Sequence, residues 1–226
     1  VRAFIPDGDS GVFISRPRFI ALREYGPGNV IYHNGKKYKI DQILTQDIEN
    51  NLKKAKVVKS SGYYLEDHEI TLEKCPLTDI DLPNNECNFL ADLLEMSETK
   101  TIEQTRISCE EEERLAFGYK IDTYFSIPAG ASTIKHAVVK NDENNFLNLK
   151  FIPAAKLIQV NSKWRISPQD GFTIGLNTGQ WKKQKQIETS TEPVKFIKLF
   201  GSDTADSLYI EPISTLALTH DGVITL

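Results

Sequence analysis

Asn29-Val30-Ile31-Tyr32-His33-Asn34-Gly35-Lys36-Lys37-Tyr38-Lys39-Ile40 is the stretch on which the fold turns. Two runs of strand-forming residues flank Asn34-Gly35, and both central residues of a type I′ turn need positive φ, which asparagine and glycine reach most easily. The stretch predicts a two-residue β-hairpin. Upstream, Phe19, Leu22 and Tyr25 fall at helical spacing across Arg18 to Tyr25, and Gly26-Pro27-Gly28 ends that short helix. Before it, an apolar start from Val1 to Ile5 leads to a turn at Pro6-Asp7-Gly8.

Downstream, Thr45 to Lys56 is expected to begin as a helix, and Lys56 to Leu65 reads as a strand broken at Ser60-Ser61-Gly62. Residues 76–105 are polar and acidic, with Pro83-Asn84-Asn85, and read as an insertion or a loop carrying one helical turn around Asn88 to Leu94. Ser108-Cys109-Glu110-Glu111 fits a capping box, which predicts a short helix from Glu110 to Phe117. From Tyr119 onward, strand runs recur at Lys120 to Ile127, Thr133 to Lys140, Phe146 to Ile152, Leu157 to Asn161, Gly171 to Leu176, Val194 to Leu199 and Ser207 to Ile213. The expected fold is mainly β with a few short helices (α+β). Residues 1–75 form a hairpin-containing, barrel-like part, 76–105 an acidic insertion, and 106–226 a β-sandwich or barrel-like sheet.

The chain has 226 residues, 40% of them apolar and 26% charged, which matches ordinary globular domains and excludes disordered and fibrous classes. No run approaches the roughly 18 apolar residues of a membrane helix, and no secretory leader opens the chain. A cytoplasmic location and no membrane partner are expected. Both ends read as cut boundaries of a longer protein. Cys75, Cys87 and Cys109 are an odd set without paired spacing, which argues against a disulfide framework. A net charge of -4 means that any nucleic-acid site is a local patch.

No phosphate-binding Gly-x-x-x-x-Gly-Lys-Ser/Thr loop and no magnesium-holding acid pair is present, so the chain is not expected to hydrolyse ATP. His33, His68, His136 and His220 are scattered, without ligand spacing. Glu110 to Glu113 fit the first turn of a helix, where the macrodipole favours carboxylates, better than a catalytic pair. No catalytic, metal or cofactor residue is assigned.

Basic and aromatic residues do cluster. Trp181-Lys182-Lys183 with Lys185, and Lys163-Trp164-Arg165, set a stacking surface beside cations, the usual means of holding single-stranded nucleic acid. The plainer alternative is a half-buried tryptophan at a strand end beside solvated lysines. Arg16, Arg18, Arg23, Lys36 and Lys37 share one surface if the first helix packs beside the hairpin.

Arg18-Phe19-Ile20-Ala21-Leu22-Arg23-Glu24-Tyr25-Gly26-Pro27-Gly28, followed by Val30, Gly35, Tyr38 and Ile43, resembles a signature of DEAD/DEAH-box helicases of superfamily 2 that carry a C-terminal domain of unknown function. That group includes mitomycin-repair and DISARM phage-defence helicases. Residues 106–125, Gly171-Phe172 with Gly179-Gln180-Trp181, and Asp203 to Leu208 resemble its later blocks in the same order. The resemblance implies a non-catalytic accessory region that follows two motor domains. ATP and magnesium then belong to the parent motor. The implied partners are DNA, single-stranded or duplex, and the chain's own upstream motor domains. The alternative is a scaffold that recruits a partner subunit of a repair or defence complex without touching DNA.

Members of that group often carry a zinc ribbon, whose knuckles correspond here to Val58-Lys59-Ser60-Ser61-Gly62 and Cys75-Pro76-Leu77-Thr78. One thiolate remains of four, too few for a closed tetrahedral site. A metal-free relic kept for packing is expected. Elemental analysis of the purified chain is therefore expected to find zinc far below one equivalent; one equivalent would overturn this.

Overall fold

The computed structural model describes residues 1–8, 10–104, 118–127, 134–141, 144–183 and 187–213. The described chain is mainly β, with curled sheets and one short α-helix. It opens with β1 (Arg2–Asp7) and β2 (Ser10–Ser15), then α1 (Arg18–Glu24), β3 (Val30–His33) and β4 (Lys36–Leu44). Next come β5 (Lys53–Val58), β6 (Tyr64–Glu66), β7 (Cys87–Glu95), β8 (Glu98–Gln104) and β9 (Tyr119–Ser126). The last strands are β10 (Lys135–Asn141), β11 (Asn144–Trp164), β12 (Phe172–Gly175) and β13 (Val194–Pro212).

The predicted hairpin is β3–β4, closed with His33 opposite Lys36. Asn34 and Gly35 both take positive φ, 47° and 72°, as a type I′ turn requires. The helix expected at Arg18 is α1, which buries Ala21 and Leu22. The helix predicted for 110–117, together with Cys109, Glu110 to Glu113 and His220, lies outside the described residues.

Two readings need correction. The segment after Thr45 forms a single 3-10 turn, Glu49–Asn51, and then passes into β5. Asn88 to Leu94 is no helical turn: it lies within β7, between β13 on one side and β5 on the other. Leu-Ala-Asp-Leu-Leu-Glu is a good helix former, but partners on both edges satisfy its backbone as a strand. Asp92, at φ 55°, sits where the β5–β7 register slips, the signature of a bulge.

The stretch expected to be an acidic insertion supplies interior strands to two sheets. One sheet has the order β2-β1-β8-β4-β3, with β8 parallel to β1 and antiparallel to β4. The other runs β10-β11-β13-β7-β5-β6, with β12 on β13 and β9 on β11. The zinc-ribbon positions form two tight turns. One joins β5 to β6 through Gly62 at φ 71°. The other closes from Asp79 N–H to the Cys75 carbonyl at 2.8 Å, with Cys75, Leu77 and Leu82 buried.

Two compact units result. The first contains Val1–Phe125 and Leu157–Asp203. β7 and β13 each supply residues to two apolar clusters of its interior. Leu94 and Leu199 join Ala21, Leu22, Tyr25, Ile40, Ile43, Ile174 and Ile197. Leu93 and Phe200 join Ala55, Val57, Tyr64, Ile158 and Val160. Successive side chains of a strand point to opposite faces, so adjacent apolar residues fill two interiors at once. α1 is tied to this body by Asn161, whose side-chain amide donates to the Leu22 carbonyl at 2.9 Å, and by the Tyr25 hydroxyl, which donates to the Ile14 carbonyl at 2.8 Å.

The second unit contains the described residues of Ser126–Lys156 and Thr204–Leu226. In it β10 pairs antiparallel with the first part of β11, from Lys135 opposite Phe151 onward. Asp206 accepts from the Ala154 N–H at 2.9 Å, which satisfies the backbone where Ala154 adopts φ 52°.

Gly179 decides how the segment after β12 joins β4. It takes φ 72°, and its carbonyl accepts from the Ile43 N–H at 2.9 Å. A Cβ at this position would collide with the Ile43 carbonyl oxygen. Backbone cannot yield as a flexible side chain does. Gly179→Ala is therefore expected to cost about 1–3 kcal/mol. Thermal denaturation measures the loss, and a weakened near-UV tryptophan signal would locate it at Trp181.

Candidate nucleic-acid interface

The two tryptophans, from clusters separate in sequence, line one groove in the first unit. It has a volume of about 530 Å³ and is walled by Trp164, Ile166, Ser167, Trp181, Lys182 and Lys183. Pro27, Gly28, Lys39, Ile40 and Asp41 form the rest. A smaller adjoining hollow of about 290 Å³ shares both tryptophans and adds Phe172 and Phe196.

Trp181 is placed by a bulge. β4 pairs with β8 up to Ile40, skips Asp41 and resumes at Gln42. The carbonyl of Asp41 is thereby released to accept from the Trp181 N–H at 2.9 Å, and Gln42 bridges Gln180. On the other side Trp181 bridges Ile174 of β12. The tryptophan is held from both sides and also packs on the first hydrophobic cluster.

Trp164 is placed by glycines. It ends β11, and a Cβ on Gly28 would stand 3.3 Å from its indole, so the ring lies along bare backbone. Its ring also meets Tyr119, with ring centroids 4.6 Å apart. Tyr119 in turn covers Gly26, where no Cβ fits, and donates its hydroxyl to the Pro27 carbonyl at 3.0 Å. Burial pushes the Tyr119 phenol up, so it stays protonated and keeps donating. Phe172 meets Trp164 and Trp181 edge to face, at 6.1 and 6.3 Å. Gly26-Pro27-Gly28, read from sequence as a helix stop, is also the bed of an aromatic row.

The cations divide by their partners. Lys182 is largely buried and paired with Glu192 at 2.8 Å. Glu192 also accepts from the Thr178 hydroxyl at 2.8 Å and its N–H at 3.0 Å. Desolvation alone would raise the Glu192 carboxyl, but the bonds from Lys182 and Thr178 outweigh it and hold it at about 2. Lys182 is thus a structural counter-ion beside the groove, and the neighbouring Lys183 is exposed. Lys185 lies outside the described residues. Lys163 pairs with Asp170 at 3.2 Å.

The third cluster does not form one free basic surface. Arg16 pairs with Glu24 at 2.7 Å, Arg18 with Glu95 at 3.5 Å and Lys36 with Glu103 at 3.1 Å, while Lys37 is half-buried on β4. Arg23 and Arg165, placed in different clusters by sequence, line a second pocket of about 330 Å³ with Tyr119. Sequence reading missed Lys39, Asp41, Tyr119 and Ile166. Nothing in a local pattern marks them, because the groove draws on segments far apart in the chain. Among the described residues no group of three or more His, Cys, Asp or Glu is arranged to hold a metal ion, and no helix is long and apolar enough to cross a membrane.

Comparison of the chain with protein-family models, with curated proteins and with solved structures finds no match.

The Glu192 carboxyl sits below its ordinary 4.5 at about 2, so its stabilising effect is full above pH 4.5 and is lost as the pH falls toward 2. Removing one partner of a largely buried pair strands the other charge. Glu192→Gln is expected to cost on the order of 3 kcal/mol near neutral pH, with thermal midpoints of variant and wild type converging between pH 4.5 and 2. Melting curves across that range check it; a parallel offset at every pH would show that Glu192 acts otherwise.

Proposed function

We propose that this chain is a non-catalytic accessory region of an ATP-driven DNA helicase, and that it holds a single strand in the groove between Trp164 and Trp181. The observation that carries this is the convergence of two tryptophans, seventeen positions apart in sequence, on one open groove edged by Lys39 and Lys183. Every base offers a π-face, so stacking on indole is tolerant of sequence, and ammonium groups at the rim neutralise the backbone. A net charge of -4 fits a local site that engages a strand delivered by another part of the protein, where neighbouring domains raise its effective concentration.

Ile166, 74% exposed at the groove, offers further apolar surface to a base. The resemblance to accessory regions of superfamily 2 helicases supports the assignment of ATP and magnesium to an upstream motor, and of the protein to the cytoplasm.

A second reading, a docking scaffold for the motor or a partner subunit, has one observation in its favour. β2 is the edge strand of its sheet, and it exposes Val12 and Phe13, 46% and 47%. Edge strands with apolar side chains readily accept another chain.

Fluorescence anisotropy with a labelled oligothymidylate separates the two. Trp164→Ala is expected to weaken binding by roughly 5- to 150-fold, the equivalent of about 1–3 kcal/mol per stacked base. Because Trp164 also packs on Tyr119, Ile166→Glu serves as a second variant: it is exposed, leaves the core untouched and sets a carboxylate where the strand lies. Binding unchanged by both variants, or no binding at all, would exclude the groove and leave the scaffold reading.

A further inference from the structure

We infer that the pocket between Arg23 and Arg165 is a phosphate subsite that grips a backbone phosphodiester of the strand whose base lies in the tryptophan groove. This deepens the proposed function and rests on it for the identity of the ligand, though not for the chemistry of the site.

Arg23 lies in the last turn of α1. Arg165 follows directly on β11, where its N–H donates to the Gly118 carbonyl at 3.0 Å. Gly118 takes φ 44°, and a Cβ there would lie 3.6 Å from the Arg165 guanidinium carbon. The guanidinium thus lies over bare backbone, held near the pocket without a side chain in its way. The remaining lining is Asn29, Gly118, Tyr119 and Ile121, so among the described residues no carboxylate lines this concavity of about 330 Å³.

Arg16, Arg18, Lys36, Lys163 and Lys182 each carry a carboxylate partner. Arg23 and Arg165 have none among the described residues, although acids stand close by in sequence. Glu24, beside Arg23, is taken by Arg16, and Asp122 faces Lys120 at 3.9 Å. Two guanidinium groups that share a concavity repel unless an anion lies between them, and their planar donor forks match phosphate oxygens.

The link to the groove is Tyr119. It lines the arginine pocket, and its ring rests on Trp164, which lines the groove. A strand stacked on Trp164 therefore has a cationic concavity immediately behind the same aromatic pair, and its phosphate is the anion at hand.

Two measurements on the whole chain test this. The first is the salt dependence of oligothymidylate binding. Each phosphate contact on a single strand contributes about -0.7 to the slope of log K against log salt. Arg23→Gln/Arg165→Gln is expected to flatten the slope by roughly 0.7, the share of one phosphate, and to weaken binding at low salt. With a methylphosphonate oligomer, whose backbone is uncharged, wild type and variant should bind alike. Equal slopes on the phosphodiester strand would overturn the subsite, and if Trp164→Ala still weakened binding, the groove would stand without it.

The second follows the guanidinium Nε–H resonances of Arg23 and Arg165 during titration with inorganic phosphate at constant ionic strength, with chloride as the control. Both are expected to shift together, and silence in both would overturn the subsite. Shifts with phosphate but no binding of any oligonucleotide would leave a small-anion pocket, and would overturn the phosphodiester assignment and the proposed function together.

Discussion

The parallel pairing of β7 with β13 sets Lys198 opposite Leu93, Leu199 opposite Leu94 and Phe200 opposite Glu95, and two apolar clusters of the larger unit depend on it. Leu94 and Leu199 enter one cluster, while Leu93 and Phe200 enter the other. A one-residue slip would exchange the two sets of side chains, so the register is strongly specified by the hydrophobic effect acting on both faces. The paired segments are about a hundred residues apart in the chain. Their closure carries a large loop entropy, offset only once apolar surface is buried on both sides.

The groove is built outward from that frame. Ile174 of β12 and Ile197 of β13 belong to the first cluster, and β12 carries the chain into the turn that ends at Gly179. The bulge at Asp41 then releases one carbonyl for Trp181. Bulges often re-aim a strand beside a binding surface, and here one does so by freeing a backbone acceptor. Glu192 closes the same turn from the other side. With two backbone N–H groups, a hydroxyl and an ammonium directed at it, its lone pairs are well used. Such saturation is what makes a buried ion pair tolerable.

The division of labour among cations follows the same physics. Those near carboxylates became structural ion pairs, which orient strands and turns but offer little to a ligand. Arg23 and Arg165, without such a partner among the described residues, line a concavity walled by Tyr119. A local count of lysines and arginines therefore overstates the free basic surface, and a net charge of -4 understates how positive one pocket can be.

Local chemistry by itself determined the hairpin at Asn34-Gly35, the short helix from Arg18 and most of the C-terminal strands, because turn residues and strand periodicity act over a few residues. It also marked Trp164 and Trp181, since bulky aromatics beside lysines are visible in any window. Only the tertiary structure decided that Leu-Ala-Asp-Leu-Leu-Glu is a strand, because partners on both edges outweigh a propensity of a few tenths of a kcal/mol per residue. Only it joined the runs read as separate, Phe146 to Ile152 with Leu157 to Asn161 and Val194 to Leu199 with Ser207 to Ile213, into the single long strands β11 and β13. It alone brought the two tryptophans to one groove, removed Lys182 from the list of free cations and set Arg23 beside Arg165. Contacts between residues far apart in the chain follow from the burial of distant strands against one another, which no local pattern encodes.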